Sequence, residues 1–234
     1  MTTFLDRRDA GRRLAQRLAQ YRDPKPVVLG LPRGGVPVAD EVARALDATL
    51  DVMVVRKLGA PGNPEFAIGA IAPGVTHFER THIDALNVPK EFVQHAVARE
   101  QEELRRREKL FRGGRPAAEV GGKTVILVDD GLATGATVKA AIKSLRAMGP
   151  GRIVLAVPIG APDTVEQLRP LVDELVCLET PAFFRAVGQG YVDFSPTSDR
   201  DVERILRGRH VEAEEGDVRL NGRPATSTRG RSPA

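Results

Sequence analysis

The stretch that most limits the fold runs from Val27 to Val55. Val27–Val28–Leu29–Gly30–Leu31 is a short apolar run, followed by Pro32–Arg33–Gly34–Gly35 and a helical pattern from Val36 to about Leu46. A second apolar run, Asp51–Val52–Met53–Val54–Val55, comes next. Strand, glycine loop, helix and strand in this order predict a parallel sheet, because two parallel strands need a crossover connection, usually a helix. The alternation returns later. Thr124 to Val128 is a strand, Thr137 to Met148 a helix, Ile153 to Val157 a strand, Pro162 to Leu171 helical, and Leu175 to Leu178 a strand. Apolar residues make up 41% of the chain, yet aromatics are only 4% and Trp is absent, so the core must rest on Val, Leu, Ile and Ala. Strands buried on both faces have that composition. The expected class is α/β, with a mostly parallel central sheet and helices on both faces.

The remaining segments are assigned by breakers and spacing. Leu14, Leu18 and Tyr21 recur at helical intervals within a helix expected from Leu5 to Tyr21, which Pro24 and Pro26 stop. Arg56 to Asn63 is rich in Gly and Pro and is expected to be a mobile loop. Phe66 to Ile71 and Val75 to Phe78 flank Ala72–Pro73–Gly74 as a hairpin. Pro89 opens a helix that continues to about Phe111 and ends at Gly113–Gly114. One domain is expected over 1–210. From Val211 the apolar pattern fades, and 211–234 is expected to be a disordered tail.

Several functional classes are disfavoured. A net charge of +4, from 35 basic and 31 acidic residues, does not call for a nucleic-acid partner. No apolar stretch approaches the ~20 residues that span a bilayer, so no membrane partner and a cytoplasmic location are expected. The single cysteine, Cys177, lies in a strand-like run and reads as a small hydrophobe. His77, His82, His95 and His210 fall in no convincing catalytic setting. The phosphate-loop string and the dinucleotide glycine pattern after a strand are both missing.

The informative segment is Val125–Ile126–Leu127–Val128–Asp129–Asp130–Gly131–Leu132–Ala133–Thr134–Gly135–Ala136–Thr137. A buried strand ends in two carboxylates, at the place where open α/β sheets bind ligands. Small residues then lead into a helix whose N-terminal N–H groups favour a phosphate, and Thr134 and Thr137 can add hydroxyl donors. Two adjacent acids repel an anion, but they suit the vicinal hydroxyls of a ribose whose phosphate sits on the loop. A helix cap explains one Asp and one Gly, not the whole string.

This string resembles the phosphoribosyl pyrophosphate motif of type I phosphoribosyltransferases, in the adenine-type variant Asp-Asp-Leu-Leu-Ala-Thr-Gly-Gly-Thr. Gly131 stands where that variant has an aliphatic residue, and Ala136 where it has glycine. Gly30–Leu31–Pro32–Arg33–Gly34–Gly35 is similar to the family's pyrophosphate loop. The resemblance covers about Leu5 to Arg207, and more narrowly a set of bacterial phosphoribosyltransferase-domain proteins of undefined substrate. The tail opening Val211–Glu212–Ala213 resembles the start of a hydrolase domain that follows such modules in some fused proteins.

The resemblance implies an enzyme that moves ribose 5-phosphate from phosphoribosyl pyrophosphate to a nitrogen acceptor, a nucleobase being one candidate, with release of pyrophosphate. It implies Mg2+ held at Asp129 and Asp130, and substrate contacts from Arg33, Gly34, Gly35, Arg56, Asp129, Asp130, Ala133, Thr134, Gly135, Ala136 and Thr137. Lys57 would serve the diphosphate, and the loop after it would be the lid. Ala133 fills the position where purine enzymes of the hypoxanthine-guanine type carry an Asp, so Glu65 is the substitute acid–base candidate. A small hood subdomain, from about 180 to 200, would contain Tyr191 and Phe194. A module that senses phosphoribosyl pyrophosphate without catalysis is the alternative, and a homodimer is left open.

Overall fold

The computed structural model describes residues 3–209, apart from the side chain of Glu65. The tail expected to be disordered, 211–234, lies outside the described residues. The first helix, α1 (Arg7–Arg17), begins at Asp6, whose side chain accepts the Asp9 N–H as an N-cap. It is shorter than the Leu5–Tyr21 expectation, because Ala19–Tyr21 tightens into a 3-10 turn. Then β1 (Val27–Gly30), α2 (Gly35–Leu46) and β2 (Thr49–Val52) form the expected crossover unit, with β1 and β2 parallel from Val27 opposite Thr49 to Gly30 opposite Val52. β2 ends earlier than the expected Val55. Met53 donates the final bond to Gly30 O, after which the chain leaves the sheet.

The Gly/Pro-rich stretch is not a loop. β3 (Arg56–Ala60) and β4 (Asn63–Ala72) form an antiparallel hairpin, and β5 (Val75–Phe78) adds a third strand. Two features drive the difference. Leu58 and Ala60 alternate as buried residues, and Gly59 lets the strands close up, since a Cβ there would lie 2.5 Å from Pro64 O. Pro61–Gly62 supplies only the turn, with Gly62 at φ +71°.

α3 (Arg80–Ala85) and the long α4 (Lys90–Arg112) return the chain to the large sheet. Pro89 stands just before α4 as expected, and Gly113 ends it in a left-handed conformation at φ 60°. A buried ion pair fixes the far end of α4: Arg112 reaches Asp51 of β2 at 3.0 Å and Val52 O at 2.9 Å. β6 (Thr124–Val128), α5 (Ala136–Ala147), β7 (Arg152–Ile159), α6 (Pro162–Leu168) and β8 (Glu174–Glu179) complete the sheet. Residues 199–209 are helical.

The five-stranded sheet has the order β2-β1-β6-β7-β8, and every pairing in it is parallel. Successive strand residues feed opposite faces. Val28, Ile126 and Val154 join α1, α2, α4 and the 199–209 helix, whereas Leu29, Leu127 and Leu155 join α5 and α6. This is the two-faced burial that an aliphatic, aromatic-poor chain requires. The crossover from β1 runs outward to β2, while β6 lies on the other side of β1. The crevice beyond the C-terminal ends of β1 and β6 is therefore the topological switch point, where α/β sheets bind ligands.

Candidate active site

Both sequence motifs end at that switch point, and they touch. Leu31 N donates to Val128 O at 2.8 Å, tying the loop after β1 to the end of β6. A Cβ on Gly34 would lie 1.9 Å from Asp130 Oδ2, and one on Gly35 would lie 2.7 Å from Val128 O. Only glycine allows this approach. Between the two motifs the Pro32–Arg33 peptide is cis. Arg33 is half exposed, with Nη1 3.7 Å from Asp199 Oδ1.

The two acids differ in environment. Asp129 is half-buried, and its Oδ1 accepts the Asp130 N–H at 2.9 Å. Burial, then the neighbouring charge of Asp130, holds its carboxyl well above the usual carboxylate range. Burial raises Asp130 as well, but the Arg7 guanidinium opposes it, with Nε 2.8 Å from Oδ2. Tyr191 donates its hydroxyl to Asp130 O at 2.6 Å, and burial pushes that phenol up.

The next turn is anchored on both sides. Leu132 N donates to Ile159 O, and Ala161 N to Leu132 O, so the loop is stitched to the end of β7. Thr164 Oγ1 donates to Ala133 O at 2.6 Å. Gly135 precedes α5 at φ 70°, and a Cβ there would meet Thr164 Cγ2 at 2.9 Å. No side-chain cap covers the first turn of α5. Its N–H groups, with exposed Thr134 and half-buried Ala136 and Thr137, face outward from the helix start. Ala133 is exposed.

The aromatics of the expected hood segment pack against the amino terminus. Phe4 N donates to Gly190 O and Val192 N to Phe4 O, so the segment pairs with the amino terminus. Tyr191 lies between Phe4 and Phe194, at ring distances of 5.5 and 5.0 Å, and is buried. Phe194 lies under the Arg7 guanidinium, 4.0 Å away. Both rings are struts. Phe183 is the open one, 90% exposed. Gly131 is a packing site: a Cβ there would lie 2.4 Å from Val187 Cγ1 of the hood.

Three expected site residues lie on the hairpin. Arg56 pairs with Glu100 of α4 at 2.8 Å, since a buried carboxylate needs a cation. Lys57 is exposed on β3, a strand rather than the end of β2. Glu65 lies on β4, and its side chain is outside the described residues. Sequence reasoning gave no role to Arg7, which lies within the helix expected from Leu5 to Tyr21. Nothing in local spacing marks it, because its partners lie more than a hundred residues away.

The family model described as a phosphoribosyl transferase domain matches residues 3–194. Two curated Mycobacterium tuberculosis proteins, from strains CDC 1551 and H37Rv and named as candidate phosphoribosyl transferases, are 52% identical over 226 residues. Those matches cover 93% of this chain and 50% of theirs, so the chain spans about half the length of these relatives. The crystal structure of TT1426 from Thermus thermophilus superposes with a TM-score of 0.75 at 47% identity, covering 88% of this chain and 98% of that one. No helix among the described residues is long and apolar enough to cross a membrane. The chain belongs to the phosphoribosyl transferase domain family.

Proposed function

We propose that this chain binds phosphoribosyl pyrophosphate and transfers its ribose 5-phosphate to a nitrogen acceptor, releasing pyrophosphate. The contact between Gly34 and Asp130 is the observation that supports this most directly. It brings the Arg33 loop against the Asp129–Asp130 pair, with the start of α5 next in the chain, and so supports reading them together as one site. The 5-phosphate would take the N–H groups and hydroxyls from Thr134 to Thr137. Asp129 and Asp130 would accept the ribose hydroxyls, and Arg33 would bind the leaving diphosphate as a two-pronged donor. Holding donor and acceptor in line, with charge ready for the departing group, supplies most of the acceleration such a displacement needs. Lys57 would add a cation to the diphosphate from β3.

Magnesium fits the donor set. Among the described residues there is no group of three or more metal-binding side chains. Mg2+ commonly takes one or two carboxylates and completes its shell with substrate phosphate and water. Asp129 and Asp130 would hold it, and when bound it would neutralise the diphosphate. A cytoplasmic setting suits the free Cys177 thiol.

The acceptor is a nitrogen compound, and nucleobases head the panel to be tried. A second reading, a sensor of phosphoribosyl pyrophosphate without turnover, draws on exposed Ala133, where a carboxylate would serve the acceptor. Calorimetric titration with phosphoribosyl pyrophosphate, with and without Mg2+, tests the binding claim on the wild type and on Asp129→Asn/Asp130→Asn. Binding lost in the double variant is the expected result, and no binding by the wild type would overturn both readings. Tight binding with no pyrophosphate release across a panel of bases and amines would leave the sensor.

A further inference from the structure

Arg7 gathers three segments that are far apart in the chain. Its Nε lies 2.8 Å from Asp130 Oδ2, its Nη1 donates to Ser195 O at 2.8 Å, and its guanidinium carbon lies over the Phe194 ring, 4.0 Å from the centre. The side chain is only 11% exposed. Its base is fixed as well. Arg7 is the first residue of α1, directly after the Asp6 cap, and α1 packs on α2 through Gly11, where a Cβ would come within 2.7 Å of Val38 O. α2 is the helix that follows the Arg33 loop. The guanidinium is thus referenced to the same helix pair that carries the diphosphate loop, while its tip holds the acidic turn and the hood.

We propose that Arg7 is a positioning residue for the ribose: it orients Asp130 and fixes the Tyr191–Ser195 segment over the acidic turn. The proposal rests on the reading of this crevice as a phosphoribosyl pyrophosphate site. With Oδ2 held by Arg7, the Asp130 carboxylate keeps one orientation towards a ribose hydroxyl. Tyr191 braces the same residue from its backbone side, so Asp130 is held at both ends. A lysine would keep the charge but lose the forked donor geometry and the guanidinium contact with the Phe194 ring. An ion pair that served stability alone would tolerate that exchange with little change at the ligand.

The consequence is selective. The ribose depends on Asp130, whereas a free diphosphate depends on the Arg33 loop. Calorimetric titration with phosphoribosyl pyrophosphate, ribose 5-phosphate and inorganic pyrophosphate, all with Mg2+, is to be run on the wild type, Arg7→Lys and Arg7→Ala. Circular dichroism and thermal melting check the fold of each. Arg7→Lys is expected to weaken both ribose ligands by about tenfold, the scale of a small misplacement of a binding group, and to leave pyrophosphate unchanged. Arg7→Ala should follow the same pattern more strongly; if it does not fold, Arg7→Lys decides alone. Equal losses for all three ligands, or no loss for any, would overturn the role of Arg7. Failure of the wild type to bind phosphoribosyl pyrophosphate would instead remove the site reading beneath it.

Discussion

Gly34 and Asp130 are in contact so close that the first carbon of any side chain on Gly34 would lie 1.9 Å from Asp130 Oδ2 and 3.0 Å from Arg7 Nε. Gly34→Ala must displace the acid, its arginine, or both. The expected cost is about 1–3 kcal/mol of stability, the usual range for overpacking. Loss of phosphoribosyl pyrophosphate binding should exceed what unfolding explains. Paired denaturant melts and titrations check this; unchanged binding would mean that the two loops do not form one site.

Asp129→Asn should stabilise the protein while removing ligand binding. Burial and the Asp130 charge raise the Asp129 carboxyl, so its ionised form is disfavoured in the fold. An acid raised in this way opposes folding at pH values above its unfolded pKa, near 3.9. The advantage of Asn is therefore present at pH 7 and fades as pH falls below about 4, where both side chains are neutral. Asn can still accept the Asp130 N–H. A gain of about 1 kcal/mol moves Tm by about 2–4 °C in a chain of this size. Thermal melts of metal-free protein at pH 7 and pH 3.5 read the effect, and a lower Tm at pH 7 would contradict it.

Asp199→Asn is expected to tighten diphosphate binding. Asp199 Oδ1 is buried without a hydrogen-bond partner, and the cations near it include Arg33, at 3.7 Å, and Arg106. The carboxylate then competes with the incoming diphosphate for the Arg33 guanidinium. A pair this exposed is worth up to about 1 kcal/mol, so the gain should be no more than about fivefold. Pyrophosphate titration at two salt concentrations measures it, and weaker binding would assign Asp199 a supporting role instead.

Tyr191→Phe tests whether the hood braces the acidic turn. Removing the hydroxyl leaves the Asp130 carbonyl, now bonded at 2.6 Å, without that donor. The cost should be about 1–2 kcal/mol of stability. A weaker affinity for phosphoribosyl pyrophosphate should accompany it. If Tyr191 were instead a stacking surface for the acceptor, Phe would serve equally and neither quantity would move.

Much of this was legible in the chain. The runs Val27–Leu31 and Val125–Val128 specified parallel strands because aliphatic residues at every position fit only a sheet covered on both faces. The string Asp129 to Thr137 specified a strand end, an acid pair and a helix start, all set by neighbouring residues. These are local properties, and local spacing determines them. What the sequence could not decide is where separate segments meet. Arg7 looks like any arginine on a charged helix until α1 packs against α2 and brings it to Asp130. The partner of Arg56, Glu100 on α4, is 44 residues away and is found only in the fold. The Arg56–Asn63 stretch looks like a loop by its Gly and Pro content, and becomes a hairpin because Leu58 finds burial against the core. Tyr191 becomes a strut because Phe4, at the other end of the chain, pairs beside it. Each outcome depends on burial and charge shared between residues remote in sequence, and only the folded chain sets those.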